Sequence, residues 1–144
     1  MKKSLLIIVL GSILLFSCVS KTAQPIQLNV DNCDFCKMTI ANAHFATQLI
    51  TEKGRCYKFD DVMCMIQYSK IDETTKNATF YVTNFANENQ FIAAEKAYYL
   101  QGGTINSPMR GNTIALSTGL EVTSYQKKFN AQTTTWNKIY AQHK

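Results

Sequence analysis

The feature that most constrains this chain is an apolar run of twelve residues at 5–16 (LLIIVLGSILLF) that stops just short of a cysteine, Cys18. A membrane-spanning helix needs roughly 20 such residues. A shorter run behind Lys2 and Lys3 fits the hydrophobic region of an export signal. Leu15-Phe16-Ser17-Cys18 has the form of a bacterial lipobox: an apolar residue, two more, then cysteine. Residues 1–17 are therefore read as a lipoprotein signal peptide, and Cys18 as the lipidated first residue of the mature chain. The expected location is a bacterial cell membrane, held by the lipid alone and facing the periplasm, where thiols tend to oxidise.

The fold must then come from the residues after Cys18. Residues 18–30 are polar, contain Pro25 and read as a lipidated tether that could reach up to roughly 40 Å when extended. Residues 31–144 form the expected domain. The mature chain carries thirteen Lys and Arg against ten Asp and Glu, a net charge of +3. Nucleic-acid binding usually demands a dense basic patch, so no nucleic-acid partner is expected. The hydrophobic content of 46%, with eight Phe and seven Tyr, excludes intrinsic disorder, and 144 residues exclude a large multi-domain enzyme.

Local patterns predict short elements. Residues 38–40 and 45–51 read as strands; in the second, Phe45, Thr47, Leu49 and Thr51 alternate with Ala46, Gln48 and Ile50. Glu52-Lys53-Gly54 is a turn signal and residues 55–59 its partner strand. Asp60-Asp61 reads as a cap for a helix at 62–69, with Val62, Met65, Ile66 and Ser69 on one face and Cys64 off it. Residues 78–85, 97–100 and 113–116 read as strands, residues 122–130 as a helix, and Trp136, Ile139 and Tyr140 as a last short helix. Strands and helices do not alternate regularly, which predicts an α+β domain with antiparallel strands. Each half has a Met near its start, then a strand, then a helix, as an internal duplication would produce.

The chemistry concentrates in sulfur. Asp31 to Ile40 (DNCDFCKMTI) holds Cys33, Cys36 and Met38 within six residues. A Cys-x-x-Cys loop brings two sulfurs close enough for one metal or one disulfide. A thioether takes no part in disulfide exchange but is a good soft ligand, and thiolate with thioether selects monovalent copper over hard ions. The remaining methionines cluster near two further segments, Met63-Cys64-Met65 and Pro108-Met109. The two histidines, His44 and His143, form no ligand-spaced pair, which speaks against a zinc site of two Cys and two His. Met65 and Ile66 read as core, His44 as a surface residue, and Met109 as either a surface residue or a ligand. Two other readings stay open. One is a thiol–disulfide redox protein using Cys33 and Cys36, although no thioredoxin-like context surrounds the motif. The other is a structural lipoprotein with disulfides Cys33–Cys36 and Cys56–Cys64.

Taken in order, C-D-F-C-K-M from Cys33, F-D-D-V-M-C-M from Phe59, Tyr81-Val82, A-E-K-A-Y-Y from Ala94 and Pro108-Met109 resemble the NosL family of lipoprotein copper chaperones for nitrous oxide reductase. The resemblance implies a fold like that of NosL and organomercurial lyase, with two small related ββαβ units packed as one compact domain. It implies a non-catalytic protein that binds Cu(I) and delivers it to the copper–sulfide centre of the reductase, through an ABC-type maturation complex. Carried over to this sequence, the ligands it implies are Cys33, Cys36, Met38 and Met109. The chain departs from the family pattern at two places: Lys37 stands where glycine often precedes the Met, and Arg110 separates Met109 from Gly111.

Overall fold

The alternating segment around Leu49 forms β1 (Thr47–Ile50), and a turn closed by Gly54 at φ +81° leads into β2 (Cys56–Phe59). Thr47 opposes Phe59 and Ile50 opposes Cys56 in this antiparallel pair. Asp61 then caps helix α1 (Val62–Ile71), its Oδ1 accepting the Met63 N–H at 2.8 Å. The chain returns as β3 (Thr79–Asn84) on the other side of β1. The second half repeats this order. It runs β5 (Tyr98–Gln101), β6 (Thr113–Leu116), helix α2 (Gly119–Phe129) and β7 (Gln132–Thr134). In each unit the first strand is central, giving β2-β1-β3 and β6-β5-β7 within one seven-stranded sheet. The structure is a computed structural model describing residues 21–142; the expected signal peptide, Cys18 and His143 lie outside them.

The two units meet at Asn84, which lies parallel to Ala115 of β6; the other strand pairings are antiparallel. The expected α+β architecture of two related ββαβ units is the one observed. Buried Asn84 binds Gln90 at 2.7 Å and Ser117 at 3.1 Å through Nδ2, and accepts the Ala86 N–H at 3.1 Å. That last bond folds the chain into β4 (Asn87–Ala93), an additional strand paired with β3. A final helix, α3 (Trp136–Gln142), packs Trp136 against Phe80 and Tyr99.

Some local expectations are corrected. Residues 38–40 are not a strand: the loop makes one bridge, Asn32 to Thr39. Strands β4 and β7 were not expected, because their sequences are polar and form strands only through pairing with β3 and β5. The segment read from the sequence as a tether is bonded to the sheet. Buried Gln48 donates to the Gln24 carbonyl at 2.9 Å and accepts the Gln24 N–H at 2.7 Å, and the Tyr81 hydroxyl donates to the Lys21 carbonyl. Ile26 packs on the core. With α1 on its opposite face, β1 is buried on both sides.

A second joint links the units. The Asp61 carboxylate, 1% exposed, accepts the Ser107 hydroxyl and the Met109 N–H through Oδ2 while Oδ1 holds the helix cap. No side chain fits at Gly111, where a Cβ would lie 2.5 Å from Asp61 Oδ1. Asp61→Ala removes the cap and strands two donors. It is expected to cost about 2–4 kcal/mol in urea unfolding with an unchanged m-value. A loss below about 1 kcal/mol would show that the carboxylate is not a structural joint.

Candidate metal centre

The Cys33 loop is held on the outer edge of β2. Asp34 donates its N–H to the Lys58 carbonyl and accepts the Lys58 N–H on Oδ2, both at 2.8 Å. The Lys58 ammonium reaches Asp31 at 2.6 Å. The loop thereby covers an edge strand that would otherwise stand open. Within it, Cys33 N–H bonds the Met38 carbonyl at 2.8 Å and Lys37 N–H bonds the Cys33 carbonyl at 2.9 Å. This tight knuckle requires a left-handed residue, and Lys37 supplies it at φ +66°. Arg110 does the same at φ +58° beside Met109. The two departures from the family pattern thus sit at backbone positions that favour glycine, at a strain of roughly 1–2 kcal/mol each.

The knuckle faces the first turn of α1. Sulfurs of Cys33, Cys36 and Cys64 all lie within 4.8 Å of one another. Cys33 and Cys64 are buried at 0% and 1% exposure, while Cys36 is half-buried. Sequence reasoning left Cys64 unassigned. The signal was its place in the helix: capped at Asp61, the helix carries Cys64 in its first turn, off the face formed by Val62, Met65 and Ile66.

The three thiols are not equivalent. Cys33 receives hydrogen bonds from the Cys64 thiol and from the backbone N–H groups of Asp60, Cys36 and Phe35; these outweigh burial and lower its pKa to about 5. Cys64, which gives its proton to this bond and is buried, is pushed far up. Cys36 is raised by burial and by the nearby Cys33 charge, despite the N–H of Met38. The resting cluster is one thiolate, at Cys33, beside two thiols. Asp60, 3% exposed, is pushed up to about 6 by burial and by the charges of Cys33 and Asp61.

The other two expected ligands differ in setting. Met38 follows the knuckle and is 55% exposed. Met109 is half-buried against the core cluster that contains Cys33 and Cys64. Met65 is fully buried core, as expected. All four cysteines among the described residues are free thiols. The Cys56–Cys64 disulfide is not formed: Cys64 faces Cys33, and the Cys56 thiol donates to Gln48 at 3.4 Å. His44 stands apart, with Nδ1 3.0 Å from the Phe85 carbonyl.

A pH titration with near-ultraviolet thiolate absorbance as the readout checks the electrostatics. One thiolate is expected at neutral pH and is lost as pH falls through about 5. Cys33→Ser removes that step. Absorbance that first develops near the ordinary thiol value of about 8.5 would contradict it.

The family model for NosL matches residues 25–143. No curated protein matches the sequence. Among solved structures, the crystal structure of the copper chaperone NosL from Shewanella denitrificans aligns at a TM-score of 0.69 and 18% identity, covering 82% of this chain and 95% of that one. At that identity the likeness speaks for the fold.

Proposed function

The chain belongs to the NosL family, and on that premise we propose that it is a lipid-anchored, non-catalytic copper chaperone. The observation that carries this reading is the trio of sulfurs within 4.8 Å. Thiolate sulfur is the preferred donor for Cu(I), and one member of the trio is already deprotonated. Cu(I) is the cargo. Cys33 and Cys36, with Cys64, hold it, and the thioethers of Met38 and Met109 supply further soft donors at the rim. Three thiols alone would also suit zinc, whereas neutral thioethers tilt the site towards copper. Binding expels the protons that Cys36 and Cys64 carry, so the affinity rises with pH.

Delivery is read from family membership: the recipient is the nitrous oxide reductase copper–sulfide centre, reached through its ABC-type maturation complex. Lipid on Cys18 keeps the domain at the periplasmic face of a membrane. No helix among the described residues is long and apolar enough to cross one.

A redox reading has one observation in its favour, the lowered pKa of Cys33. Its exposure argues the other way. Cys33 is 0% exposed, while the accessible Cys36 has its thiolate disfavoured. A redox nucleophile needs both properties on one sulfur.

Anaerobic competition with a chromophoric Cu(I) chelator tests the proposal. The reduced protein is expected to take up one Cu(I) tightly. Cys33→Ser is expected to weaken binding by roughly 100-fold, about 2.7 kcal/mol. Unchanged affinity would reject the thiol assignment. Disulfide-reductase turnover without copper uptake would favour the redox reading.

A further inference from the structure

Met63 has no place in the expected ligand set, and its surroundings set it apart from Met65. Met65 is fully buried in the first core cluster, whereas Met63 is half-buried and packs in neither core cluster. It is nevertheless tightly positioned. The Met63 N–H donates to Asp61 Oδ1 at 2.8 Å, and the Met109 N–H donates to Oδ2 of the same carboxylate at 3.2 Å. The carboxylate is buried and further held by Ser107. The loop carrying Met109 also runs close over Met63: a Cβ on Gly111 would lie 3.3 Å from Met63 Cβ. That loop keeps its shape through two left-handed residues, Arg110 at φ +58° and Asn112 at φ +45°. Asn112 is itself tied to Ser107, donating its N–H to the hydroxyl at 2.7 Å and accepting the Ser107 N–H at 3.3 Å. Two half-buried methionines from different units are thus moored to the two oxygens of one carboxylate.

We propose that Met63 and Met109 form a two-thioether station for a soft monovalent ion beside the thiol trio, with Met109 shared between the two. The inference rests on the soft-metal reading above. Cys64 is the next residue after Met63, and Met109 packs on the cluster that includes Cys33 and Cys64. The station is therefore tied to the thiols through the step from Met63 to Cys64. Its donors are neutral, lose no proton on binding and form no disulfide. Such a pair holds a soft cation more weakly than thiolates do. An ion would pass through it when entering or leaving the buried sulfurs.

The test uses the reduced full-length protein in detergent, with ¹³C-labelled methionine methyl groups, titrated with Ag(I) and, anaerobically, with Cu(I). One tight equivalent is expected on the thiols. A second, weaker equivalent is expected to shift the methyl signals of Met63 and Met109 together and leave that of Met65 in place. Met63→Leu keeps the side-chain volume. It is expected to abolish the second equivalent and to slow chelator withdrawal of the first by at least about tenfold, a barrier increase of about 1.4 kcal/mol. Met65→Leu serves as the packing control and behaves as the wild type. The station is overturned if the tight equivalent is present but the Met63 methyl signal stays fixed, or if Met63→Leu releases metal at the wild-type rate. Absence of any tight equivalent overturns the copper reading itself, and the station with it.

Discussion

One buried carboxylate organises the centre of this protein. Burying an ionised Asp is costly unless donors replace its water. Asp61 meets that demand with backbone N–H groups from both halves of the chain and a serine hydroxyl. It also sits at the positive end of the α1 dipole, where negative charge is favoured. Its donors come from both units, which also meet at the parallel bridge from Asn84 to Ala115 and through Trp136 against Phe80 and Tyr99. The same group therefore fixes where α1 begins and where the Met109 loop lies. The first helical turn presents Cys64 to the knuckle, so the sulfur geometry depends on this joint.

The sulfur cluster answers a second electrostatic problem. Three thiolates in one buried site would repel one another strongly before any cation arrived. A single thiolate at Cys33, solvated by one neighbouring thiol and three backbone N–H groups, avoids this. The cluster thus carries its charge on Cys33 alone, with Cys36 and Cys64 neutral. Asp60 contributes its N–H to that sulfur, while burial and the neighbouring charges of Cys33 and Asp61 push its own carboxyl up to about 6.

Much of this was legible in the sequence, for identifiable reasons. The alternation around Leu49, the Gly54 turn and the Asp61 cap act within a few residues, and their signals survived into the fold. Helix α2 carries an equally local device, the Thr118–Glu121 capping box. Strands β4 and β7 were invisible because their pairing, not their composition, makes them strands. In the candidate site, Cys33 and Cys36 announced themselves by spacing. Cys64 did not, because its contact with Cys33 depends on where α1 starts relative to a loop about thirty residues earlier. The link from Asp61 to Met109 spans 48 positions and has no sequence signature at all.

Gln48 reaches beyond the domain. Its side-chain amide grips the backbone of Gln24 as a strand neighbour would. The segment read as a tether is thereby clamped at Gln24, six residues after Cys18, and already touched by Tyr81 at Lys21. A lipid at Cys18 would hold the clamped point within roughly 20 Å of the bilayer. So anchored, the domain would stand close to the membrane surface, and any partner would have to bring its own docking face down to meet it.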